Sequence, residues 1–135
     1  MYKNILVPIS FDEDRDSTRS IEVAKLLETQ GGKVTLLHVM EEVPGYATTY
    51  MPEGYLEDSR KGLEEELSGV AEKIPGGSAR VISGHSGSSI LDFAEANEND
   101  LIIIASHRPG MKDYFLGSTA HHVVRHAKCA VHVVR

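Results

Sequence analysis

Residues capable of chemistry concentrate in the last third of this 135-residue chain. The stretch IIIASHRPGMKDYFLGSTAHH, residues 102–122, passes from an apolar run through a loop with His107, Arg108 and Lys112 to Gly117-Ser118-Thr119, where a helical pattern begins. A helix starting there aims unpaired backbone N–H groups and the positive end of its dipole at the preceding loop, and two hydroxyls add donors, which suits phosphate. Gly, Ser and Thr are equally common as plain helix caps. The cations Arg108 and Lys112 facing that end shift the balance towards a polyphosphate. Ser118 is a candidate phosphoryl acceptor, yet a nucleophile needs a positioned base, and His107, His121 and His122 are near only in sequence. No catalytic set is evident.

Metal chemistry has weak support. His122 and His126 stand four apart and share a helix face, a spacing that permits chelation, but no third ligand follows at a matching distance, so no metal is assigned. Asp113 is the only carboxylate of the loop, too few for a Mg²⁺ cage, although a metal can arrive with a nucleotide. There is no Gly-x4-Gly-Lys-Ser/Thr, and no Gly-x-Gly-x2-Gly follows a strand, which argues against a P-loop ATPase and a Rossmann dehydrogenase. Cys129, between Ala127-Lys128 and Ala130, reads as a small buried thiol. His38 and His132 fall inside strand patterns and read as structural, and His85 in SGHSGSS reads as part of a turn.

The elements that must position these residues follow from periodicity. Asn4–Pro8, Lys33–Val39, Ala79–Ser83, Leu101–Ala105 and Ala130–Val134 are rich in branched apolar residues and predict five strands; NILVP and LIIIAS are continuous apolar runs, the pattern of strands covered on both faces. Four helical stripes lie between them. Ile21, Ala24 and Leu27 follow a capping stretch at Asp16–Thr18, and Leu63, Leu67, Val70, Ala71 and Ile74 end at Pro75-Gly76-Gly77. Ile90, Phe93 and Ala94 follow Gly87-Ser88-Ser89, and Ala120, Val123, Val124 and Ala127 follow Gly117-Ser118-Thr119. Strict alternation predicts an α/β fold, a single doubly wound five-stranded parallel sheet with helices on both faces, Rossmann-like in its winding. Ligands of such sheets bind beyond the strand carboxyl ends where strand order reverses, here expected between the first and fourth strands. Residues Met40–Tyr55, with two prolines and three tyrosines, predict a long functional loop, a lid or second contact.

The bulk numbers fit one domain spanning residues 1–135. Net charge is −6, against generic affinity for nucleic acid or acidic membranes, yet between Ala105 and Arg135 a single acid, Asp113, faces five basic residues. No run approaches the ~20 apolar residues of a membrane span, and the opening MYKNILV lacks a signal-peptide core, so a cytoplasmic location is expected. The terminal strand AVHVV should lie at a sheet edge, where an unprotected ladder invites another chain.

KNILVPIS, VTLLHV, ILDFAEANENDLIIIASH and LGSTAHHVVRHAKCAVHVVR together resemble the universal stress protein family over nearly the whole chain, most of all its F- and G-type branch, whose fourth-strand loop reads Ala-Ser-His-Arg-Pro. The resemblance implies the adenine nucleotide alpha hydrolase-like form of this fold, holding ATP, with or without Mg²⁺, in the predicted crevice through Gly-x2-Gly-x9-Gly-Ser/Thr. It places Pro8 and Val39 beside adenine and Gly117 with Ser118 on the phosphates. Ala105 and Arg108 stand where the first two motif glycines would, with eight residues rather than nine before Gly117, and Ser10 stands where an Asp is frequent. Ile9, His107 and Thr119, adjoining these positions, complete the candidate nucleotide-binding set. The resemblance further implies a homodimer joined through the last strand, acting as a stress-response module that switches on nucleotide binding, with an unidentified regulatory protein partner and at most slow hydrolysis or autophosphorylation. The alternatives are a nucleotide-independent interaction module and an adenylate-using or phosphotransfer enzyme.

Overall fold

The structure is a computed structural model that describes residues 1–11, 17–106 and 116–135. β1 (Tyr2–Pro8) and β4 (Leu101–Ala105) are the continuous apolar runs, and Ile5, Leu6, Val7 and Leu101–Ile104 are buried, as strands covered on both faces must be. β2 (Glu28–Met40), β3 (Gly77–Ser83) and β5 (Ala130–Val134) complete a parallel five-stranded sheet in the order β3-β2-β1-β4-β5. Order reverses between β1 and β4, where Ile5 pairs with Leu101 and Leu6 with Ile102. The doubly wound prediction therefore holds, and the switch point lies where the two apolar strands placed it.

Alternate residues of each strand feed opposite layers. Ile5, Val7, Val34, Leu36, Leu101 and Ile103 pack with Ala24 of α1 (Thr18–Leu27) and with Leu67 and Ala71 of α3 (Tyr55–Ala71). Leu6, Leu37, Ile102 and Ile104 pack with Ile90 and Ala94 of α4 (Ser86–Ala96) and with Ala120 and Val123 of α5 (Ser118–His126). Each fully buried Leu or Ile contributes about 1.5–3 kcal/mol, so this two-sided core is the main support of the sheet. At the amino end of the sheet, the Asp100 carboxylate accepts hydrogen bonds from the N–H groups of Lys3 and Asn4 at 2.9 and 3.0 Å, locking β1 to the turn that enters β4.

Several boundaries differ from the periodic reading. β2 starts at Glu28 rather than Lys33, because Tyr2 of β1 pairs with Glu28; the register then jumps to Asn4 with Lys33, so the polar TQGG stretch forms an irregularity in the strand, with Gly31 at φ +82°. α3 starts at Tyr55, before the apolar stripe, with Glu57 and Asp58 in its first turn favouring the dipole. The 40–55 segment contains a short helix, α2 (Gly45–Thr48). Ser17 precedes α1 without a side-chain cap of its own, and Asp16 of the expected capping stretch lies outside the described residues. Val70 and Val124 are exposed, and Ile74 is buried in the turn after α3 rather than on the helix. In that turn Gly76 has φ +70°, and a Cβ there would run into the Gly32 carbonyl oxygen, so the position requires glycine.

Candidate functional site

Beyond the carboxyl ends of β1 and β4 lies a crevice of about 730 Å³, within the size range of small-molecule sites. Pro8, Ile9, Ser10, Val39, Ala105, Gly117, Ser118 and Thr119 all line it, so eight of the ten candidate residues converge on one cavity. His107 and Arg108 lie outside the described residues, as do Lys112 and Asp113. Leu37 and Ile104 from the strands add apolar side chains to its lining. Ile9 N–H donates to Leu37 O at 2.7 Å, which carries the β1–β2 ladder past Pro8 and holds Pro8, Ile9 and Val39 along one wall. His38 supports that wall from β2: its Nδ1 lies 2.8 Å from Ile9 O, and its ring meets Phe11 edge-on at 4.7 Å. The structural role expected of His38 is thus filled, whereas His132 is exposed on β5 and has no such role.

The opposite wall is built from two helix N-termini. Ser106 N–H donates to Val134 O at 2.8 Å, and Gly117 N–H donates to Ser106 O at 2.5 Å, so both ends of the intervening loop are tied to the sheet edge. This fixes Gly117 as the residue before α5; Ser118 is the first residue of the helix rather than its cap, and among the described residues no side-chain cap is made at Gly117. The backbone N–H groups of its first turn have no intrahelical acceptor, and the turn carries no acidic residue. An anion placed there meets several donors and the favourable end of the dipole.

α4 ends differently. Glu41, just past β2, reaches across to accept hydrogen bonds from Ser86 Oγ at 2.7 Å and Ser86 N–H at 3.2 Å, occupying the α4 N-terminus with a carboxylate. These bonds, the Ser86 hydroxyl first and its amide also, together with the nearby His85 charge, outweigh slight desolvation and hold Glu41 below the usual glutamate range. Ser86 Oγ also lies 3.2 Å from Thr119 Oγ1, which joins the two helix ends. The approach is this close because residue 87 is glycine: a Cβ there would sit 2.8 Å from His122 Cδ2 on α5. Ser86 has one hydroxyl proton and gives it to Glu41, so the Thr119 proton must go to Ser86. Of the two hydroxyls expected to donate to phosphate, Thr119 is already committed; Ser118 is exposed at the crevice.

Other expectations resolve plainly. His85 immediately precedes α4 and lines the crevice, as does His122, while His121 is exposed and lies outside the crevice lining. The His122 and His126 rings are 4.7 Å apart, and among the described residues no group of three or more His, Cys, Asp or Glu could hold a metal. Cys129 is half-buried rather than fully buried; desolvation, reinforced by Asp100, raises its thiol pKa despite an opposing backbone hydrogen bond. Glu41 and Gly87 carry no signal of a site in the sequence alone, while Ser86 is one of the SGHSGSS hydroxyls able either to line this edge or to form the turn, and it lines the crevice.

A model of the universal stress protein family matches residues 1–135. The chain belongs to the universal stress protein family. It is 30% identical over 154 residues to universal stress protein G of Salmonella typhimurium, covering the whole of both chains. Among solved structures, the hypothetical protein MJ0577 superposes with a TM-score of 0.76 at 27% identity, covering 99% of this chain and 96% of that one. A family member from Arabidopsis thaliana with AMP bound shares the fold, with a TM-score of 0.65 at 19% identity over 98% of this chain and 90% of that one. No helix among the described residues is long and apolar enough to cross a membrane.

Proposed function

We propose that this protein binds an adenine nucleotide, ATP in the first instance, in the crevice between β1 and β4, and that it acts as a dimeric cytoplasmic stress-response module whose loaded and empty forms present different loops to a regulatory partner. The observation that carries this is the asymmetry of the two helix ends. Glu41 places a carboxylate at the α4 N-terminus, while among the described residues the α5 N-terminus has no side-chain cap and its first turn no acidic residue. Phosphate therefore belongs on Gly117, Ser118 and the first-turn amides of α5. Pro8, Ile9 and Val39 offer the adenine an apolar wall, and Ser10 and Ala105 border it. Arg108 and His107 are proposed to grip the phosphates from the loop in place of the missing motif glycines, and any Mg²⁺ would come with the nucleotide. AMP in the Arabidopsis relative supports the class of ligand.

Residues 1–135 act in this proposal as one domain of the G-type branch, in keeping with the Salmonella relative. β5 is an edge strand and pairs a second copy to give the homodimer. Switching needs no turnover; hydrolysis or autophosphorylation, where present, is slow. The test is to denature purified protein, identify any released nucleotide, and titrate ATP against wild type and the Ser118→Ala, Arg108→Ala double variant. Saturable binding weakened by the substitutions supports the module. Turnover at an ordinary enzymatic rate would favour an enzyme, and no binding at millimolar ATP would leave an interaction module without nucleotide.

A further inference from the structure

We propose that Glu41 is a specificity-determining residue that selects nucleotides by the charge of their phosphate chain, a role that rests on nucleotide binding in this crevice. Two helix N-termini, α4 and α5, converge on one wall, and each by itself is an anion seat. Glu41 cancels the first. Its carboxylate accepts both the Ser86 amide and the Ser86 hydroxyl, so these two donors are taken and a negative charge stands where a second phosphate would sit. Its influence then extends to the other seat. With the Ser86 proton turned to Glu41, Thr119 donates to Ser86 and turns oxygen lone pairs, not a proton, to the crevice. Glu41 is two hydrogen bonds from Thr119, which puts its negative charge within about 6 Å of the first turn of α5.

The crevice wall is thus donor-rich at the α5 backbone and acceptor-rich from Thr119 to Glu41. A single phosphate group on α5 satisfies this pattern. A longer polyphosphate must either turn away from Glu41 or approach it and be repelled. Glu41 therefore narrows the advantage that ATP, with its extra charges, would otherwise hold over AMP.

The test is a calorimetric titration of adenosine, AMP and ATP against wild type, Glu41→Gln and Glu41→Asp, each confirmed folded by thermal melting. Glutamine keeps a carbonyl oxygen for Ser86 and removes only the charge. Removing a unit charge roughly 6–8 Å from about two additional phosphate charges is expected to raise the ATP-to-AMP affinity ratio by about tenfold in Glu41→Gln. Adenosine affinity should stay within about twofold, and Glu41→Asp, which keeps the charge, should retain the wild-type ratio. A ratio in Glu41→Gln within about twofold of wild type, while AMP still binds, overturns the role of Glu41 and leaves nucleotide binding standing. An aspartate variant that behaves like the glutamine one, or adenosine shifting as much as ATP, overturns it too, because then geometry rather than charge is at work. Absence of binding by all these ligands to wild type at millimolar concentration overturns nucleotide binding and the charge filter together.

Discussion

Ser118→Asp separates the phosphate seat from general stability, because it should move the two in opposite directions. Ser118 is the first residue of α5, exposed, on a helix with no side-chain cap and no acid in its first turn. A carboxylate there meets the positive end of the dipole and can reach the free first-turn amides, a gain of about 0.3–1 kcal/mol. For a chain of this size that corresponds to a rise in Tm of about 1–4 °C, the lower part of the range being expected because Glu41 already places a negative charge nearby. The same carboxylate occupies the position proposed for phosphate. Two unit charges about 5 Å apart at a partly solvated surface repel by roughly 1–3 kcal/mol, so nucleotide affinity should fall by about 5- to 100-fold. Ser118→Asn, which offers a neutral cap, should lose far less affinity. Differential scanning calorimetry and isothermal titration on the same samples give both numbers. A variant that is stabilised yet binds ATP as tightly as wild type would refute the placement of phosphate at α5.

Three further outcomes test the fold and the electrostatics beneath the site. Ile103→Ala, at a fully buried position of β4 in the core layer that includes α1, should cost about 2–5 kcal/mol in urea unfolding while leaving the crevice lining intact. Gly76→Ala forces a side chain into the left-handed region and against the Gly32 carbonyl, so it should cost at least about 2 kcal/mol, more than an ordinary surface substitution. Glu41 has its pKa lowered in the folded state, so its contribution to stability is complete above its ordinary value of 4.5 and is lost as pH falls through the folded value. Urea melts at pH 6 and pH 3 should therefore show a wild-type advantage over Glu41→Gln that shrinks at the lower pH; an advantage that grows on acidification would reverse the sign argued for this carboxylate.

The parts of this molecule legible in sequence are those set by periodicity and by local end chemistry. NILVP and LIIIA read as central strands because burial on both faces leaves no polar alternation, and that fixed the place of the crevice. Gly117-Ser118-Thr119 read as a helix start facing it. What escaped depends on partners distant in the chain. Glu41 looks like one acid of a loop, and only the parallel pairing of β2 with β3 brings it to Ser86, 45 positions on. Gly87 reads as a turn residue, whereas its task is to let His122 pass close by. The early start of β2 at Glu28 comes from its pairing with Tyr2 of β1, not from the propensity of its polar opening. His132 reads as structural from its strand setting, but an edge strand leaves its side chain exposed.

The most direct measurement is an amide chemical-shift map of isotopically labelled protein titrated with ATP and with AMP. Binding between β1 and β4 with phosphate on α5 predicts that the largest shifts fall on Ile9, Ser10, Val39, Ser118, Thr119 and Ala120, and that Lys3, Asn4 and Asp100 at the other end of the sheet stay in place. Shifts centred on that other end, or no shifts at millimolar nucleotide, would contradict the account.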